Sequence, residues 1–338
     1  MTSTTWEALR PRVAPAPFHR APIRRTAPPR RVAVVLNPAS RRPDVTRHRL
    51  TQACAQLGRA ALRVWETTLG DPGTGQARAA LDWGADTVIA VGGDGTVRLV
   101  AGELAGTGIP LGVVPAGSAN LYARNLGLRP GPSWRNVRVA LAGPLAAADL
   151  GQVVCVRDGH PDAVQPMLVV AGLGRDAQAV DQVRHGLKRA LGWVAYAEAG
   201  VHRVLARGVP MDLRLDDRAL HAEAWTVLAA NCPRVLDHIV AFPGARLDDG
   251  RLEVLRLALA NPLQWIPVAA KGVLHFRATP SPLRYDTVER LVARTTRPLP
   301  AQIDGDVIPG VTQMTVTVRP GVLRVAVPPR LGGAGGSR

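Results

Sequence analysis

Gly92-Gly93-Asp94-Gly95-Thr96 stands between an apolar run and a helical pattern, a placement that suits phosphate chemistry. Glycines let the backbone turn tightly and approach a phosphate, and a helix N-terminus presents free N–H groups and positive potential. The carboxylate of Asp94, set beside phosphates, is better suited to Mg²⁺ than to direct phosphate contact. Thr96 can cap the helix and give its hydroxyl to a phosphate. Small polar residues also follow three other apolar runs: Asn37-Pro38-Ala39-Ser40, Thr67, and Gly117-Ser118-Ala119-Asn120. Ligands of open parallel sheets bind outside the carboxyl ends of the strands, so four such ends would form one nucleotide crevice. A plain glycine turn with Asp94 as its cap is the simpler reading, and the matching strand ends weigh against it. No Gly-x-x-x-x-Gly-Lys-Ser/Thr sequence occurs, which excludes a P-loop. The turn also comes too late and with the wrong spacing for a dinucleotide fingerprint.

The elements that would position these residues alternate. Val32 to Leu36 reads as a buried parallel strand, followed by a helix through Leu50, Ala53, Cys54 and Leu57 to Gly58. Leu62 to Trp65 is a second strand, Thr74 to Trp83 a second helix, and Thr87 to Val91 a third strand running into the glycine turn. Leu111 to Val114 forms a fourth, before a helix through Leu126. Strands alternating with helices predict a doubly wound parallel sheet with right-handed crossovers over 31–148. From about Asp149 strands dominate: Val153 to Val156, Met167 to Ala171, Met211 to Leu215, Ala224 to Ala229, Leu252 to Leu257, Met314 to Val318 and Val322 to Val327. One long helix is expected over 187–205. Residues 149–328 therefore read as a mostly β domain, whose last strands are free to return to the first. Residues 329–338 read as a flexible tail.

The chain has 338 residues, enough for two domains. Hydrophobic residues make up 46% and charged residues 20%, which excludes a wholly disordered chain. Cys54, Cys155 and Cys232 have neither paired spacing nor a neighbouring His motif, so they read as reduced core thiols rather than disulfides or metal ligands. The uncharged stretch from Leu104 to Ala123 is interrupted by Gly106, Gly108, Pro110, Gly112, Pro115 and Gly117, and does not read as a membrane span. The N-terminus lacks the apolar core of a secretory signal. A soluble, cytoplasmic protein is expected. Its formal charge of +16 is almost wholly arginine, since Lys188 and Lys271 are the only lysines. Arginine pairs well with phosphate of lipid headgroups, nucleotides or nucleic acid. Residues 1–30 combine prolines with Arg10, Arg12, Arg20, Arg24, Arg25 and Arg30 against Glu7 alone, and read as a disordered basic arm. Such an arm is either a solvated leader or an electrostatic anchor on anionic membrane.

On these motifs the chain resembles the diacylglycerol kinase catalytic superfamily, which includes bacterial lipid kinases and sphingosine kinases, with NAD kinases and phosphofructokinases as more distant relatives. The resemblance runs from about Arg31 to Pro328. It rests on Asn37 to Ser40, Gly92 to Thr96, and Pro115 to Asn120 with Ala123-Arg124. Later blocks are Gly172-Leu173-Gly174-Arg175-Asp176-Ala177, Pro243 to Gly250, and Asp304-Gly305-Asp306. It implies an ATP-binding α/β domain joined to a C-terminal β-sandwich, an active site in the cleft between them, and transfer of the γ-phosphate of ATP to a lipid hydroxyl. Asn37, Pro38, Ser40, Arg41, Thr67, Gly92 to Thr96, Arg98, Gly117, Ser118 and Asn120 fall where the family contacts ATP. Arg246, Asp249 and Arg251 fall on its second-domain Mg²⁺ site, with Asp249 giving a carboxylate and the flanking residues backbone carbonyls. Asp304-Gly305-Asp306 stands where the family has Asp-Gly-Glu, its source of the general base. The expected base is Asp306, with Asp304 as metal or base partner, and the reverse assignment stays open. Asp-Gly also reads as a turn at both places.

Several positions depart from the family pattern. Arg41 replaces a glycine, Arg98 and Leu99 replace Asn-Glu, Leu121 replaces an aspartate, and Asp306 is one methylene shorter than glutamate. Arg98 either adds a phosphate contact or lies on a solvated helix face. The acceptor implied is a lipid such as diacylglycerol or a sphingoid base at an anionic membrane surface, with the protein held peripherally. A homodimer is left open. The alternatives are a kinase of a soluble alcohol or NAD-like substrate, and a catalytically idle lipid- or nucleic-acid-binding member of the fold. Aromatic content of 4% speaks against nucleic acid.

Overall fold

A computed structural model of the chain describes residues 18, 21–23, 30–58, 61–175, 208–235, 240–258 and 283–329. The helix expected over 187–205, the tail beyond 329, most of the basic arm, and Asp176 and Ala177 lie outside them. The chain divides into two compact units, one formed by Phe18–Leu150 with the segment from Gly321 onward, the other by Gly151–Pro320.

The first unit is α/β. Its elements are β1 (Arg31–Leu36), α1 (Pro43–Gln56), β2 (Ala61–Glu66), α2 (Thr74–Asp82), β3 (Thr87–Gly92), α3 (Asp94–Leu104), β4 (Pro110–Pro115), α4 (Leu121–Asn125) and α5 (Trp134–Ala142). β1 pairs in parallel with β2 and β3, and β3 with β4, giving the order β2-β1-β3-β4. β3 is buried along its whole length, which accounts for its uninterrupted Val-Ile-Ala-Val. Val32, Val34, Leu36, Ile89, Val91 and Val114 pack with Leu50, Ala53 and Cys54 of α1 and Val137, Ala140 and Leu141 of α5. α5 passes so near β4 that a Cβ on Gly112 would lie 2.9 Å from that of Ala140. At the arm, Phe18 is buried and Ile23 exchanges backbone hydrogen bonds with Leu145. The described residues of the arm thus meet this unit through a buried apolar side chain and a strand edge.

Two strands run from one unit into the other: β5 (Leu145–Arg157) and the last strand, β15 (Asp306–Ala326). Between them come β6 (His160–Pro161), β7 (Gln165–Met167), β8 (Val170–Gly174), β9 (Val209–Leu215), β10 (Arg218–Ala224), β11 (Thr226–Ala230), β12 (Leu252–Leu257), β13 (Leu283–Val288) and β14 (Arg290–Ile303). Among the described residues the second unit is thus wholly β in its regular elements. Its strands follow the antiparallel path β13-β12-β11-β8-β14-β15, with β9 joining β14 and β10 joining β9. β9 alternates buried Val209, Met211, Leu213 and Leu215 with exposed Pro210, Asp212 and Arg214, the period of two of a half-buried strand. The buried residues of β9 join those of β8, β11, β12, β14 and β15 in one core.

The closing segment differs from expectation. It is one strand of 21 residues rather than two. Gly310 and Gly321 take positive φ beside Pro309 and Pro320, so the glycines absorb the irregularity and the strand bends instead of ending. Its C-terminal residues Arg324 and Val325 pair in parallel with Pro110 and Leu111 of β4, which extends the first unit's sheet.

Candidate functional site

In the order β2-β1-β3-β4 the connections leave β1 and β3 in opposite directions, so a topological switch point lies between those two strands. The segment Asn37 to Ser40 follows β1, and the glycine turn follows β3. Backbone hydrogen bonds continue past the strands and tie the loops together: Asn37 N–H donates to Val91 (2.9 Å), Thr67 N–H to Leu36 (2.9 Å), Arg41 N–H to Ala116 (3.0 Å) and Ala116 N–H to Gly92 (2.8 Å). The residues expected at the nucleotide are thereby gathered at one end of one sheet. Asn37 shapes its loop with its Oδ1, which accepts the Ala39 N–H at 2.9 Å. Ser40 Oγ is buried with no hydrogen-bond partner, as expected of a hydroxyl awaiting a ligand.

Two glycines are required by close approach. A Cβ on Gly117 would lie 2.5 Å from Gly93 Cα, and one on Gly92 would lie 2.9 Å from Thr96 Cβ. The two glycine loops therefore pack backbone to backbone. Asn120 closes the second loop: its Oδ1 accepts the Gly117 N–H at 2.9 Å and its Nδ2 donates to the Gly117 carbonyl at 2.7 Å. It does so at φ 52, a left-handed conformation asparagine tolerates. α3 opens directly after Gly93, so its N–H groups belong to the same surface.

Asp94 has an engagement within the protein itself. Its Oδ1 accepts the Tyr122 N–H at 3.1 Å, which binds the glycine turn to the start of α4. Burial pushes its carboxyl above the ordinary range, and the N–H groups of Tyr122, Leu121 and Asn120 work against that rise. The sequence could not show this, because Tyr122 lies 28 residues away. Arg98 is 6% exposed, so it does not lie on a solvated helix face. Arg124 points its Nε at the Ala119 carbonyl (2.9 Å) and so supports the loop.

In the second unit, Asp304 and Gly305 form the two-residue turn between β14 and β15, closed by the pair Ile303 and Asp306. Both turn residues have positive φ, 49 and 90, the conformation that makes Asp-Gly the favoured hairpin pair. The Asp304 carboxylate, 8% exposed, accepts three backbone N–H groups: Leu168 at 2.8 Å on Oδ2, and Val169 and Val170 at 2.8 and 2.9 Å on Oδ1. Gln302 Oε1 accepts the Gly305 N–H at 2.9 Å. Asp304 is thus committed on both oxygens to holding the turn, while Asp306 stands at the head of β15, partly exposed. The two acids of the motif therefore differ in burial and in their backbone engagement.

The segment Pro243 to Arg251 holds the residues expected at Mg²⁺. Asp249 Oδ1 accepts the Arg251 N–H at 3.0 Å, and Gly250 turns the chain at φ 71. Burial raises the Asp249 carboxyl, the Arg251 N–H opposes, and the negative charge of Asp248 raises it further. The positive charge of Arg246 lowers it in turn. The Asp249 carboxylate and neighbouring backbone carbonyls are the kind of hard oxygen ligands that would suit Mg²⁺. Among the described residues no group of three or more His, Cys, Asp or Glu side chains could hold a metal, so carbonyls would have to supply most of the ligands. Glu253 had no place in the sequence reading. It is buried on β12 and its Oε2 accepts the N–H groups of Gly244 and Ala245, both at 2.7 Å. Its signal was a lone acid in a strand apolar but for Arg256, shortly after an Asp-Gly turn.

The diacylglycerol kinase catalytic domain family matches residues 31–153, and the YegS C-terminal NAD kinase β-sandwich-like domain matches residues 168–327. A Pseudomonas fluorescens relative named "probable lipid kinase YegS-like" is 32% identical over 269 residues, 75% of this chain and 83% of its own. A Bacillus subtilis diacylglycerol kinase is 26% identical over 282 residues, 82% of this chain and 90% of its own. An uncharacterised Synechocystis protein is 28% identical, and this chain spans 58% of its length. The crystal structure of a Bacillus anthracis diacylglycerol kinase superposes with a TM-score of 0.66 at 17% identity, covering 90% of this chain and 99% of that one, which establishes a common fold. Family, fold and site loops agree: this chain belongs to the diacylglycerol kinase catalytic superfamily and is a lipid kinase by family.

Proposed function

We propose that the protein transfers the γ-phosphate of ATP to the hydroxyl of a lipid, such as diacylglycerol or a sphingoid base, at an anionic membrane surface. The observation that carries this reading is the convergence of the four loops after β1 to β4 on one sheet end, with two glycines that admit no Cβ and the Ser40 hydroxyl left without a partner. Phosphoryl transfer asks the protein for alignment and charge stabilisation rather than covalent chemistry. The N-terminal N–H groups of α3 and the backbone of Gly92 to Gly95 would hold the phosphates, with Ser40, Thr67, Thr96 and Ser118 giving hydroxyls and Arg41 and Arg98 positive charge. Mg²⁺ bound with the phosphates would neutralise charge developing on them. Asp306 would accept the proton of the attacking hydroxyl, and Asp304 would keep Asp306 in place.

No helix among the described residues is long and apolar enough to cross a membrane. The reading therefore has the protein reach lipid from the surface, where the arginines of residues 1–30 would each add about 1 kcal/mol near anionic headgroups. Purified protein with γ-labelled ATP and Mg²⁺ should phosphorylate a lipid extract, and Asp306→Asn should abolish the transfer. Label entering NAD or a soluble alcohol instead would end the lipid reading. No label in any acceptor would favour a catalytically idle member of the fold.

A further inference from the structure

Glu253 is a buried carboxylate placed to shape the segment that carries Asp249. Its two hydrogen bonds, at 2.7 Å each, reach the N–H groups of Gly244 and Ala245. Such charge-assisted bonds to backbone donors are short and about twice as strong as neutral ones, and they compensate a charge that would otherwise be costly to bury. The fit is close, since a Cβ on Gly244 would lie 3.1 Å from the Glu253 carboxyl. The start of the segment is fixed separately: Tyr285 OH donates to the Ala241 carbonyl at 2.8 Å, Phe242 N–H donates to Pro233, and Phe242 is fully buried. Leu247 is also fully buried. From Gly244 to Asp249 there are thus only five steps of chain, with the buried side chains of Ala245 and Leu247 between. A shift at Gly244 and Ala245 has little slack in which to die out before Arg246 and Asp249.

We infer that Glu253 is a positioning residue, whose carboxylate holds the segment 244–249 in the shape that lets Asp249 and its neighbouring carbonyls bind a divalent cation. The inference rests on the proposed Mg²⁺ role of Asp249. A site built largely from backbone carbonyls depends on backbone shape more than one built from side chains, so an anchor on the backbone acts on it directly. Residues that orient ligands in this way typically cost 10- to 100-fold in metal affinity when lost.

The test is direct Mn²⁺ binding to the full chain without nucleotide, read from the electron paramagnetic resonance signal of free Mn²⁺, beside the Mg²⁺ dependence of phosphoryl transfer. Glu253→Ala should weaken Mn²⁺ binding about tenfold or more and raise the Mg²⁺ requirement at saturating ATP by a similar factor. Glu253→Gln keeps one acceptor oxygen and should recover part of the loss. Gly244→Ala retains the carboxylate but presses a methyl group on it, and should weaken binding in the same direction, which keeps the test open if Glu253→Ala fails to fold. Asp249→Ala serves as the reference. If it binds Mn²⁺ as the parent does, the cation reading of the segment is wrong. If Asp249→Ala loses the ion while Glu253→Ala and Gly244→Ala keep parental affinity, Glu253 is only a structural staple and the inference falls.

Discussion

Replacing Asp304 separates the two acids of the Asp-Gly-Asp turn by magnitude. The Asp304 carboxylate accepts three backbone N–H groups at 2.8 to 2.9 Å in a site that is 8% exposed. Asp304→Ala leaves three buried donors without it, each worth about 1–3 kcal/mol. It also places a residue without local side-chain hydrogen bonding at φ 49, for about 1 kcal/mol more. Even if water reaches one donor, the loss is about 3–7 kcal/mol, a large fraction of the 5–15 kcal/mol of a typical domain. For a unit of this size that corresponds to a melting temperature lower by about 10 °C or more. Asp304→Asn keeps the tolerated backbone conformation but sets an amide N–H against a backbone donor, so about 2 kcal/mol is expected. Asp306→Asn, at a partly exposed position, should melt within about 2 °C of the parent yet lose phosphoryl transfer. Calorimetric melts of the three variants, with transfer measured well below each melt, supply the assay. An Asp304→Ala protein that melts like the parent and is nonetheless inactive would refute the positioning role and make Asp304 the base.

Gly117→Ala should force the two glycine loops apart, because its Cβ would lie 2.5 Å from Gly93 Cα; ATP binding measured by calorimetry should weaken by tenfold or more, about 1.4 kcal/mol, and unchanged binding would sink the close-packing argument. Asp94 titrates above its ordinary 3.8 in the folded chain. The native state therefore keeps a proton that the unfolded chain has released, and stability falls as pH rises through the window just above 3.8. Denaturant midpoints of Asp94→Asn should fall less steeply across that window than those of the parent, and parallel curves would contradict the burial of this carboxyl. Cys54, Cys155 and Cys232 are buried, and burial pushes the Cys155 thiol up to about 11. A thiol reagent at neutral pH should leave all three unmodified until the chain unfolds, and rapid labelling of native protein would overturn this. Binding to anionic liposomes should weaken with added salt and with deletion of residues 1–30; insensitivity to both would remove the arm as the docking element.

The α/β half was legible because its signals are local. A fully buried parallel strand must be apolar along its length, a glycine turn must follow it where backbones meet, and both facts are written in consecutive residues. β14 escaped notice because Pro298 and Pro300 interrupt the run and read as breaks, whereas the strand tolerates them by shifting register between Arg294 and Ala301. The helix expected over 187–205 lies outside the described residues. At the site, residue type alone named Asp94, Asp249, Asp304 and Asp306 but could not rank them. An aspartate that binds metal, one that accepts a proton and one that holds a turn have the same side chain, and they differ in what faces them. Those partners are remote in sequence: Tyr122 for Asp94, and Leu168 to Val170, more than 130 residues back, for Asp304. In the Asp-Gly-Asp turn the first acid is held by those backbone donors and the second opens the next strand. On the proposed reading the turn separates holding from chemistry within three residues, and burial and hydrogen bonding, more than identity, would set the role of each acid.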